Sequence, residues 1–299
     1  MNAKILEKAQ NVINQRKYQA ENQALNNKIE ALENEDFKII FNKHMDSMLS
    51  DAKNGKDESK KTKELKIKVD EKLKALNLYP IEPVYSCPNC NDSGRINGAY
   101  CDCLKKELNK ILISESGFSK LEDFDKTTFD IFDNPDFMKA LYKKMKEWCY
   151  SNFDKNIILL GGETGVGKTH LMMCMANELI KQNKVVTLTT SFAMNQDFLK
   201  SYSTRNVEEQ DYLLDKYLDA EILFIDDLGT ELRNPNVTTK YLYLLLNERK
   251  INKRPTIITT NLRLEDINDY YDERVASRIV DKQSSICVFI EGKDLRLKK

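Results

Sequence analysis

A glycine-rich stretch near the middle of the chain constrains the fold more than any other part of the sequence. Residues 157–171 read IILLGGETGVGKTHL, an apolar run that enters a turn with several glycines and continues into helix-favouring residues. The pattern G-x-x-x-x-G-K-T, placed between a strand and a helix, is that of a phosphate-binding P-loop. The sequence therefore predicts a strand–loop–helix unit that binds the phosphates of a nucleotide.

The spacing of this motif predicts a role for each of its parts. Glycines leave the backbone N–H groups free to wrap a phosphate, and the following helix points its positive end at the same charge. Lys168 is expected to reach the β- and γ-phosphates, and the Thr169 hydroxyl to bind Mg²⁺. The predicted nucleotide-binding residues are Gly162, Glu163, Thr164, Gly165, Val166, Gly167, Lys168, Thr169 and His170.

Two acidic residues follow a second apolar run. Residues 221–229 read EILFIDDLG, in which four apolar residues end in Asp226 and Asp227. Buried parallel strands deliver side chains to the carboxyl edge of a sheet in this way. We expect Asp226 to be the partner of the Mg²⁺ and Asp227 to orient or deprotonate a water molecule. An acidic turn after a core strand is the alternative, which the pairing with the P-loop disfavours.

Strand and helix patterns alternate from the P-loop strand onward. Helix-favouring segments separate apolar or β-branched runs at residues 157–160, 184–190, 222–226, 255–260 and 285–290. Such alternation predicts an α/β fold with a five-stranded parallel sheet and helices on both faces.

Polar residues near the ends of the later strands complete the predicted site. Asn261 directly follows the run PTIITT and could hold the attacking water or sense the γ-phosphate, although Asn also favours turns. Arg274 and Arg278 share one helical face, and an arginine that reaches a neighbouring subunit's nucleotide would supply transition-state charge. Arg296 could contact the phosphates of its own subunit. Surface salt bridges are the alternative for each arginine.

The N-terminal part of the chain has the pattern of a separate helical region. Apolar residues recur at helical spacing over residues 1–50, including Leu25 and Ile29, and again from residue 65 to residue 76. The charged stretch 51–63 predicts a solvated linker. These helices pack on each other or on a partner. The predicted organisation is, in order, a helical region over 1–80, a cysteine module over 81–115 and a nucleotide-binding domain over 116–299.

Four of the seven cysteines lie close together in the sequence. Cys87 and Cys90 form a C-x-x-C knuckle, and Cys101 and Cys103 form a C-x-C pair after ten residues. Four thiolates in two close pairs can close a tetrahedral Zn²⁺ site with no open position, so the predicted role is structural. A redox C-x-x-C would not need the second pair, whereas an iron–sulfur cluster is compatible with the spacing.

Charge and hydropathy restrict the partners and the location. Lys plus Arg equals Asp plus Glu at 47 each, so the overall charge gives no support to nucleic-acid binding and allows a local basic groove. No run approaches the length of a membrane span, and the N-terminus lacks the apolar centre of a signal peptide. Clustered cysteines suit a reducing compartment. We expect a cytoplasmic protein with no membrane partner.

Four segments, in this order and spacing, resemble bacterial replicative helicase loaders of the DnaC/DnaI type in the AAA+ superfamily: GGETGVGKTH, LFIDDLGTE, PTIITTNL and ERVASRI. The likeness covers residues 118–299, and the upstream cysteine pattern resembles the zinc-binding part of loaders from Gram-positive bacteria. The resemblance implies an ATPase that binds ATP and Mg²⁺ and self-associates through its ATP sites. It also implies contact with single-stranded DNA and with a hexameric replicative helicase, on which the N-terminal domain docks.

The resemblance also assigns roles to single residues and exposes two departures from the general AAA+ pattern. Asp227 stands where many relatives have a longer Glu, which implies slow, switch-like hydrolysis. After the fifth strand there is too little chain for the usual helical lid, so a sensor must act from a tail. The implied roles are Walker A at Gly162 to Thr169, Walker B at Asp226 with Asp227, sensor I at Asn261, the trans arginine finger at Arg278 and sensor II at Arg296.

Two other functions are compatible with these motifs. A transposition helper ATPase of the IstB type has the same ATPase signature, and a nucleotide-gated adaptor would bind ATP without hydrolysing it. The helical segment and the cysteine module favour the loader. For DNA contacts the helix after the second strand offers Lys200, Tyr202 and Arg205, because an aromatic with nearby cations can stack on bases and bind phosphates. Phe192, on the same helix, is expected in the core.

Overall fold

A computed structural model of the protein describes residues 3–55 and 57–297. The chain divides into two compact units. The N-terminal unit is Gln10–Cys103, and the P-loop unit combines the residues up to Ala9 with those from Leu104 onward. Among the described residues no helix has both the length and the apolar character needed to cross a bilayer.

The N-terminal unit is built on three helices and a small hairpin. Their apolar faces meet at Ala31, Phe37, Val69 and Leu73, all of which are buried. Leu25 and Ile29 face outward instead, each with 53% of its surface exposed, since Ala24 and Ala31 occupy the inner face of their helix. The elements are α1 (Ala3–Glu33, whose first residues belong to the P-loop unit), α2 (Glu35–Lys53), α3 (Lys60–Ala75), β1 (Arg95–Ile96) and β2 (Ala99–Tyr100).

The charged linker is shorter than the sequence predicts. Helix α2 continues to Lys53 and α3 begins at Lys60, so the helices enter the stretch 51–63 from both ends. Thr62 is fully buried, and its hydroxyl donates to the Asp51 carboxylate at 2.5 Å. The side chain of Ser59 caps α3 by accepting from the Thr62 N–H. Lys56, which also falls in this stretch, lies outside the described residues.

The P-loop unit has a five-stranded parallel sheet, which confirms the predicted α/β class. Its strands are β3 (Ile157–Gly162), β4 (Val186–Thr190), β5 (Ile222–Leu228), β6 (Thr256–Thr260) and β7 (Ser285–Ile290), in the spatial order β4-β5-β6-β3-β7. Strand β6 thus lies between β3 and β5. Because all strands run in the same direction, the residues that follow β3, β5 and β6 meet at one edge of the sheet.

Alternate side chains of the strands enter two cores, one on each face of the sheet. Ile158 and Leu160 of β3 belong to the first core, and Leu159 between them belongs to the second. The helices around the sheet are α4 (Asp102–Glu115), α5 (Pro135–Cys149), α6 (Lys168–Lys181), α7 (Ser191–Ser203), α8 (Val207–Leu218), α9 (Lys240–Ile251), α10 (Leu264–Tyr270) and α11 (Glu273–Ile279), with a π-helical turn at Pro235–Thr239.

The segment after β7 contains no α-helix among residues 291–297. It has a single short 3-10 turn, Leu295–Leu297, and the backbone N–H of Leu295 donates to the carbonyl of Gly165 at 3.0 Å. The described part of this segment therefore lies on the P-loop.

Candidate ATP-binding site

The P-loop adopts a conformation that requires glycine at specific positions. Gly165 and Gly167 have φ angles of +81° and +98°, in the left-handed region that other residues rarely adopt. A Cβ atom on Gly162 would lie 2.2 Å from the carbonyl oxygen of Ile290 on the adjacent strand. Helix α6 begins at Lys168, directly after the loop, so its first N–H groups point toward the loop.

The loop borders a cavity of about 300 Å³, and most of the residues predicted for the nucleotide site line it. Its size lies at the lower end of the range for ligand pockets. The cations Lys168 and Arg296 reach it from two separate segments and meet the P-loop hydroxyls there, which fits a polyphosphate. The lining residues are Thr164, Gly165, Gly167, Lys168, Thr169, His170, Asp227, Asn261, Leu295 and Arg296.

Three acceptors hold the Lys168 ammonium at the carboxyl end of β3. The ammonium donates to the carbonyls of Gly162 at 2.7 Å and Glu163 at 2.6 Å, and to Oδ1 of Asn261 at 2.7 Å. Burial lowers the pKa of Lys168, although the carboxylates of Asp227 and Asp226 act in the opposite direction. The predicted sensor Asn261 thus directly contacts the predicted phosphate-binding lysine.

Asp226 is almost fully buried and bonded to two threonines. The Thr169 hydroxyl lies 3.0 Å from Oδ1 and 3.2 Å from Oδ2 of Asp226, and the Thr259 hydroxyl donates to Oδ1 at 2.5 Å. Burial raises the pKa of Asp226, while the two hydroxyl bonds and the nearby Lys168 lower it. The adjacent hydroxyl and carboxylate oxygens of Thr169 and Asp226 are hard oxygen donors of the kind that suits Mg²⁺.

Thr259 was not among the residues predicted from the sequence. Besides donating to Asp226, its hydroxyl accepts the backbone N–H of Asp227 at 2.8 Å, so one side chain ties both acidic residues to β6. A polar residue near the end of an otherwise apolar strand was the available signal. That signal is weak, because threonine also has a high intrinsic preference for strands.

Asp227 occupies an irregular position at the end of β5. Its φ angle is +55°, and the pairing register between β5 and β6 shifts between Ile225 and Leu228. Bulges of this kind re-aim a side chain near functional sites, and a positive φ at a non-glycine residue stores strain. The Asp227 carbonyl accepts from Ser191 at 2.7 Å, and the residue lines the cavity.

The three candidate arginines have different surroundings. Arg296 lines the cavity, and its guanidinium bonds the carboxylate of Asp294. Arg278 does not line it; its Nε donates to Asn247 at 2.9 Å and its guanidinium lies 5.4 Å from the ring centre of Tyr243. Arg274 stacks on the same ring at 5.3 Å. Within one chain, Arg296 therefore lines the phosphate cavity, and Arg274 and Arg278 of α11 do not.

The four clustered cysteines of the N-terminal unit converge in space. All four sulfur atoms lie within 4.8 Å of one another. Asp92, which is 1% exposed, fixes the first knuckle by accepting the backbone N–H groups of Ser86 at 2.7 Å and Cys87 at 2.9 Å. Four sulfur donors at this separation fit Zn²⁺ in a closed tetrahedral site. The residues that could hold it are Cys87, Cys90, Cys101 and Cys103.

The candidate DNA-contacting residues on α7 and after it are exposed. Tyr202 is 64% exposed, Arg205 is exposed, and Lys200 pairs with Glu209 at 2.9 Å. Phe192 is 53% exposed, so its expected place in the core was wrong. The inward positions of α7 are taken instead by Met194 and Phe198.

The fold and the site define a P-loop nucleotide-binding protein. The sequence model of the family described as IstB-like ATP binding protein matches residues 105–299, and the chain belongs to this family. The predicted resemblance to AAA+ proteins of the DnaC/IstB type is thereby confirmed.

Curated relatives and solved structures match parts of the chain. The uncharacterised protein YqaM of Bacillus subtilis is 31% identical over 66% of this chain and 64% of its own length. The replicative helicase loader DnaC of Escherichia coli K12 is 30% identical over 48% of this chain and 57% of its own length. The chain thus spans less than two thirds of either relative. A crystal structure of DnaI aligns with a TM-score of 0.45 and 19% identity, over 58% of this chain and 90% of that one.

Proposed function

We propose that this protein is an ATP-dependent loader that binds a hexameric replicative helicase and places it on single-stranded DNA. The observation that carries the proposal is the bonded site at the sheet edge, in which Lys168 contacts Asn261 and Thr169 contacts Asp226. Such a site can bind ATP and respond to its γ-phosphate. The similarity to the replicative helicase loader DnaC supports the choice of partner.

In the proposed mechanism the P-loop N–H groups bind the triphosphate, and Lys168 exchanges its carbonyl partners for the β- and γ-phosphates. A Mg²⁺ ion bound by Thr169 and Asp226 would neutralise phosphate charge. Asp227 orients the attacking water, and Asn261, directly after β6, helps to position it. The shorter side chain of Asp227, compared with Glu, makes hydrolysis slow and suits a switch.

Two of the three candidate arginines, Arg296 and Arg278, act on different subunits in this proposal. Arg296 contacts the phosphates from its own chain, since it lines the cavity. Arg278 reaches the nucleotide of a neighbouring subunit and supplies transition-state charge there, so ATP at the interface promotes self-association. Its stacking on Tyr243 and its bond to Asn247 keep the guanidinium in a defined orientation on α11.

The N-terminal residues provide the partner contacts. We propose that the helical region over 1–80 and a zinc-stabilised module over 81–115 dock on the helicase, while the domain over 116–299 binds ATP in the cytoplasm. The exposed side chains of Phe192 and Tyr202, with Arg205 nearby in sequence, are the proposed contacts with single-stranded DNA. Bases stack on aromatic rings and arginine pairs with phosphates, so these contacts would tolerate many sequences.

A helicase-loading assay on single-stranded DNA tests the proposal. Lys168→Ala removes the ammonium that binds phosphate, so ATP-dependent loading should be lost. Lys181→Ala is the matched control, since Lys181 lies on the same helix and makes only partly exposed ion pairs with Asp123 and Glu178. Normal loading by Lys168→Ala would contradict the nucleotide part of the proposal.

A second candidate is an IstB-type transposition helper, because the matching family model is described as IstB-like. This candidate uses the same ATP site and differs in its partner, a transposase. It predicts that the purified chain binds a transposase and has no affinity for the replicative helicase. A third, a non-hydrolysing adaptor, predicts that Asp227→Asn keeps full function while ATP stays bound.

A further inference from the structure

The segment that follows β7 lies directly on the phosphate loop. The Leu295 N–H donates to the Gly165 carbonyl at 3.0 Å, and the Lys293 N–H donates to the Asp133 carboxylate at 2.7 Å. The Asp294 carboxylate lies against Gly165, since a Cβ atom there would be 1.9 Å from Oδ1 of Asp294. A negative charge therefore lies beside the loop whose N–H groups are shaped for phosphate.

Asp294 also binds the arginine that lines the phosphate cavity. Arg296 donates from Nε to Oδ1 at 3.0 Å and from Nη2 to Oδ2 at 2.9 Å, a two-pronged pair, and its backbone N–H donates to Oδ1 at 2.9 Å. The Arg296 side chain is 66% exposed and that of Asp294 is 23% exposed. An exposed pair of this kind is weak, so a phosphate that offers the same two-pronged geometry can compete for the guanidinium.

Arg296 lines the phosphate cavity together with Asp227, the residue proposed to orient the attacking water. The raised pKa of Arg296 comes mainly from its bond to Asp294, and the charge of Asp227 adds a smaller contribution. When Arg296 turns to a phosphate, Asp294 loses its partner while still close to Gly165. The exchange therefore gains less free energy than the contact between Arg296 and the phosphate would give alone.

We propose that Asp294 is a positioning residue that holds Arg296 beside the cavity and competes with the γ-phosphate for it, so that this pair limits the preference for ATP over ADP. This inference rests on the proposed nucleotide site and concerns a residue that the mechanism above does not use. ATP presents the phosphate that displaces Asp294. ADP leaves the Asp294–Arg296 pair in place and keeps the segment after β7 bonded as described.

Equilibrium binding of fluorescent ATP and ADP analogues to the full chain, with Mg²⁺ present, tests this inference. Asp294→Asn keeps the shape of the side chain and removes its charge, which frees Arg296 for the γ-phosphate. The affinity for the ATP analogue should rise by about two- to fivefold relative to that for the ADP analogue, which is the range expected from the loss of one exposed ion pair. Asp294→Glu, which keeps the charge, should retain most of the original ratio.

A double-substitution cycle separates positioning from plain charge repulsion. With Arg296→Gln already present, Asp294→Asn should change the ATP and ADP affinities by the same factor, because no arginine remains to be released. Asp272→Asn is a matched control: Asp272 pairs with Arg274 two residues later at 2.8 Å, and Asn keeps its capping role. That variant should leave the ratio unchanged.

The outcomes distinguish this inference from the proposed function. Equal shifts for ATP and ADP in Asp294→Asn, with Arg296 present, would overturn the positioning role and leave the ATP site intact. An unchanged ratio in a variant that melts at the same temperature as the unsubstituted chain would do the same. Failure of the unsubstituted chain to bind either nucleotide would overturn the proposed function together with this inference.

Discussion

The nucleotide site and the cysteine cluster differ in what holds their functional groups in place. At the nucleotide site, Asp226 and Thr259 lie on buried strands, and Lys168, which follows β3, bonds Asn261, which follows the neighbouring strand β6. The cysteine cluster has two-residue strands, β1 and β2, whose residues are exposed or half-buried. Packing in the protein core therefore holds the nucleotide site in place. The cysteine cluster would instead be held in place by an ion shared among its sulfur atoms.

The two units should therefore lose their structure under different conditions. Sulfur atoms within 4.8 Å of one another gain little from their own contacts, and thiolates at that separation repel one another unless a cation lies between them. The nucleotide site resists the loss of its ligand because its hydrogen bonds connect protein groups. Metal removal and core substitution should therefore damage different parts of the chain.

Removal of zinc is expected to have the largest effect. If the four cysteines hold Zn²⁺ as proposed, the ion contributes about 10–16 kcal/mol to a small site of this kind, so chelation should release Cys87, Cys90, Cys101 and Cys103. Thiol titration under native conditions measures this directly. Cys287 is exposed, so it should react before chelation, although slowly because burial of its sulfur raises its pKa. The four ligands should react after chelation.

Two buried cysteines of the P-loop unit provide the internal control. Burial raises the pKa of both Cys149 and Cys174 to about 12, so they should stay unreactive with or without the chelator. Reaction of these two thiols on chelation would contradict the comparison, because it would show that the P-loop unit also unfolds when the metal is removed.

Substitution of Arg249 should damage the P-loop unit alone. This arginine is 1% exposed and donates to the carbonyls of Tyr217, Ala220 and Pro255 at 2.7–2.9 Å. Arg249→Ala leaves those carbonyls unpaired in the core and should lower the free energy of unfolding by about 3 kcal/mol or more. Urea denaturation followed by tryptophan fluorescence reports on this unit, because the chain's one tryptophan, Trp148, is in its core.

The matched control is Arg263→Ala. Arg263 is 75% exposed on its side chain and lies 3.9 Å from Glu265, so its loss should change the free energy of unfolding by less than about 0.5 kcal/mol. Equal effects of the two substitutions would show that the carbonyl bonds of Arg249 do not hold the P-loop unit together. Zinc content should remain the same in both variants.

Thr259→Val is expected to have a smaller effect on stability and a selective effect on the site. The substitution removes the hydroxyl that holds Asp226 and the backbone of Asp227, and should lower the free energy of unfolding by about 1–2 kcal/mol. Misplacement of the Mg²⁺ partner should reduce Mg²⁺-dependent hydrolysis of ATP by about tenfold.

Thr260→Val, on the next residue of the same strand, separates the two effects. The Thr260 hydroxyl also donates once, to the Leu228 carbonyl at 2.6 Å, and accepts one backbone N–H, from Leu262, but it does not bond either acidic residue. Its substitution should cost similar stability with a smaller loss of hydrolysis. If both variants hydrolyse ATP equally, Thr259 has no special role in orienting Asp226.

Local spacing allowed much of the fold to be predicted from the sequence. The P-loop and the acidic strand end are short patterns whose chemistry depends on neighbours in the sequence, and the five strands follow from hydrophobic runs between helices. Contacts over long separations could not be predicted in this way. The Thr259 hydroxyl on β6 bonds Asp226 on the adjacent strand β5. Asp294 lies against Gly165, although the two residues are far apart in the sequence.

Helix faces were predicted less well than strands. Leu25 and Ile29 have helical spacing but are exposed, because small residues such as Ala24 fit the inner face of α1. Phe192 is exposed for a related reason, since the inner side of α7 is filled by Met194 and Phe198. Periodicity identifies a stripe, and only packing decides which stripe faces the core.

The most direct test of the proposed function is to purify the chain with the host's hexameric replicative helicase, with and without ATP, and to measure the native mass of the product. We expect a complex of defined mass whose stability changes with ATP for the unsubstituted chain and not for Lys168→Ala. A folded, zinc-loaded chain that forms no complex with the helicase in either condition would contradict the proposed function.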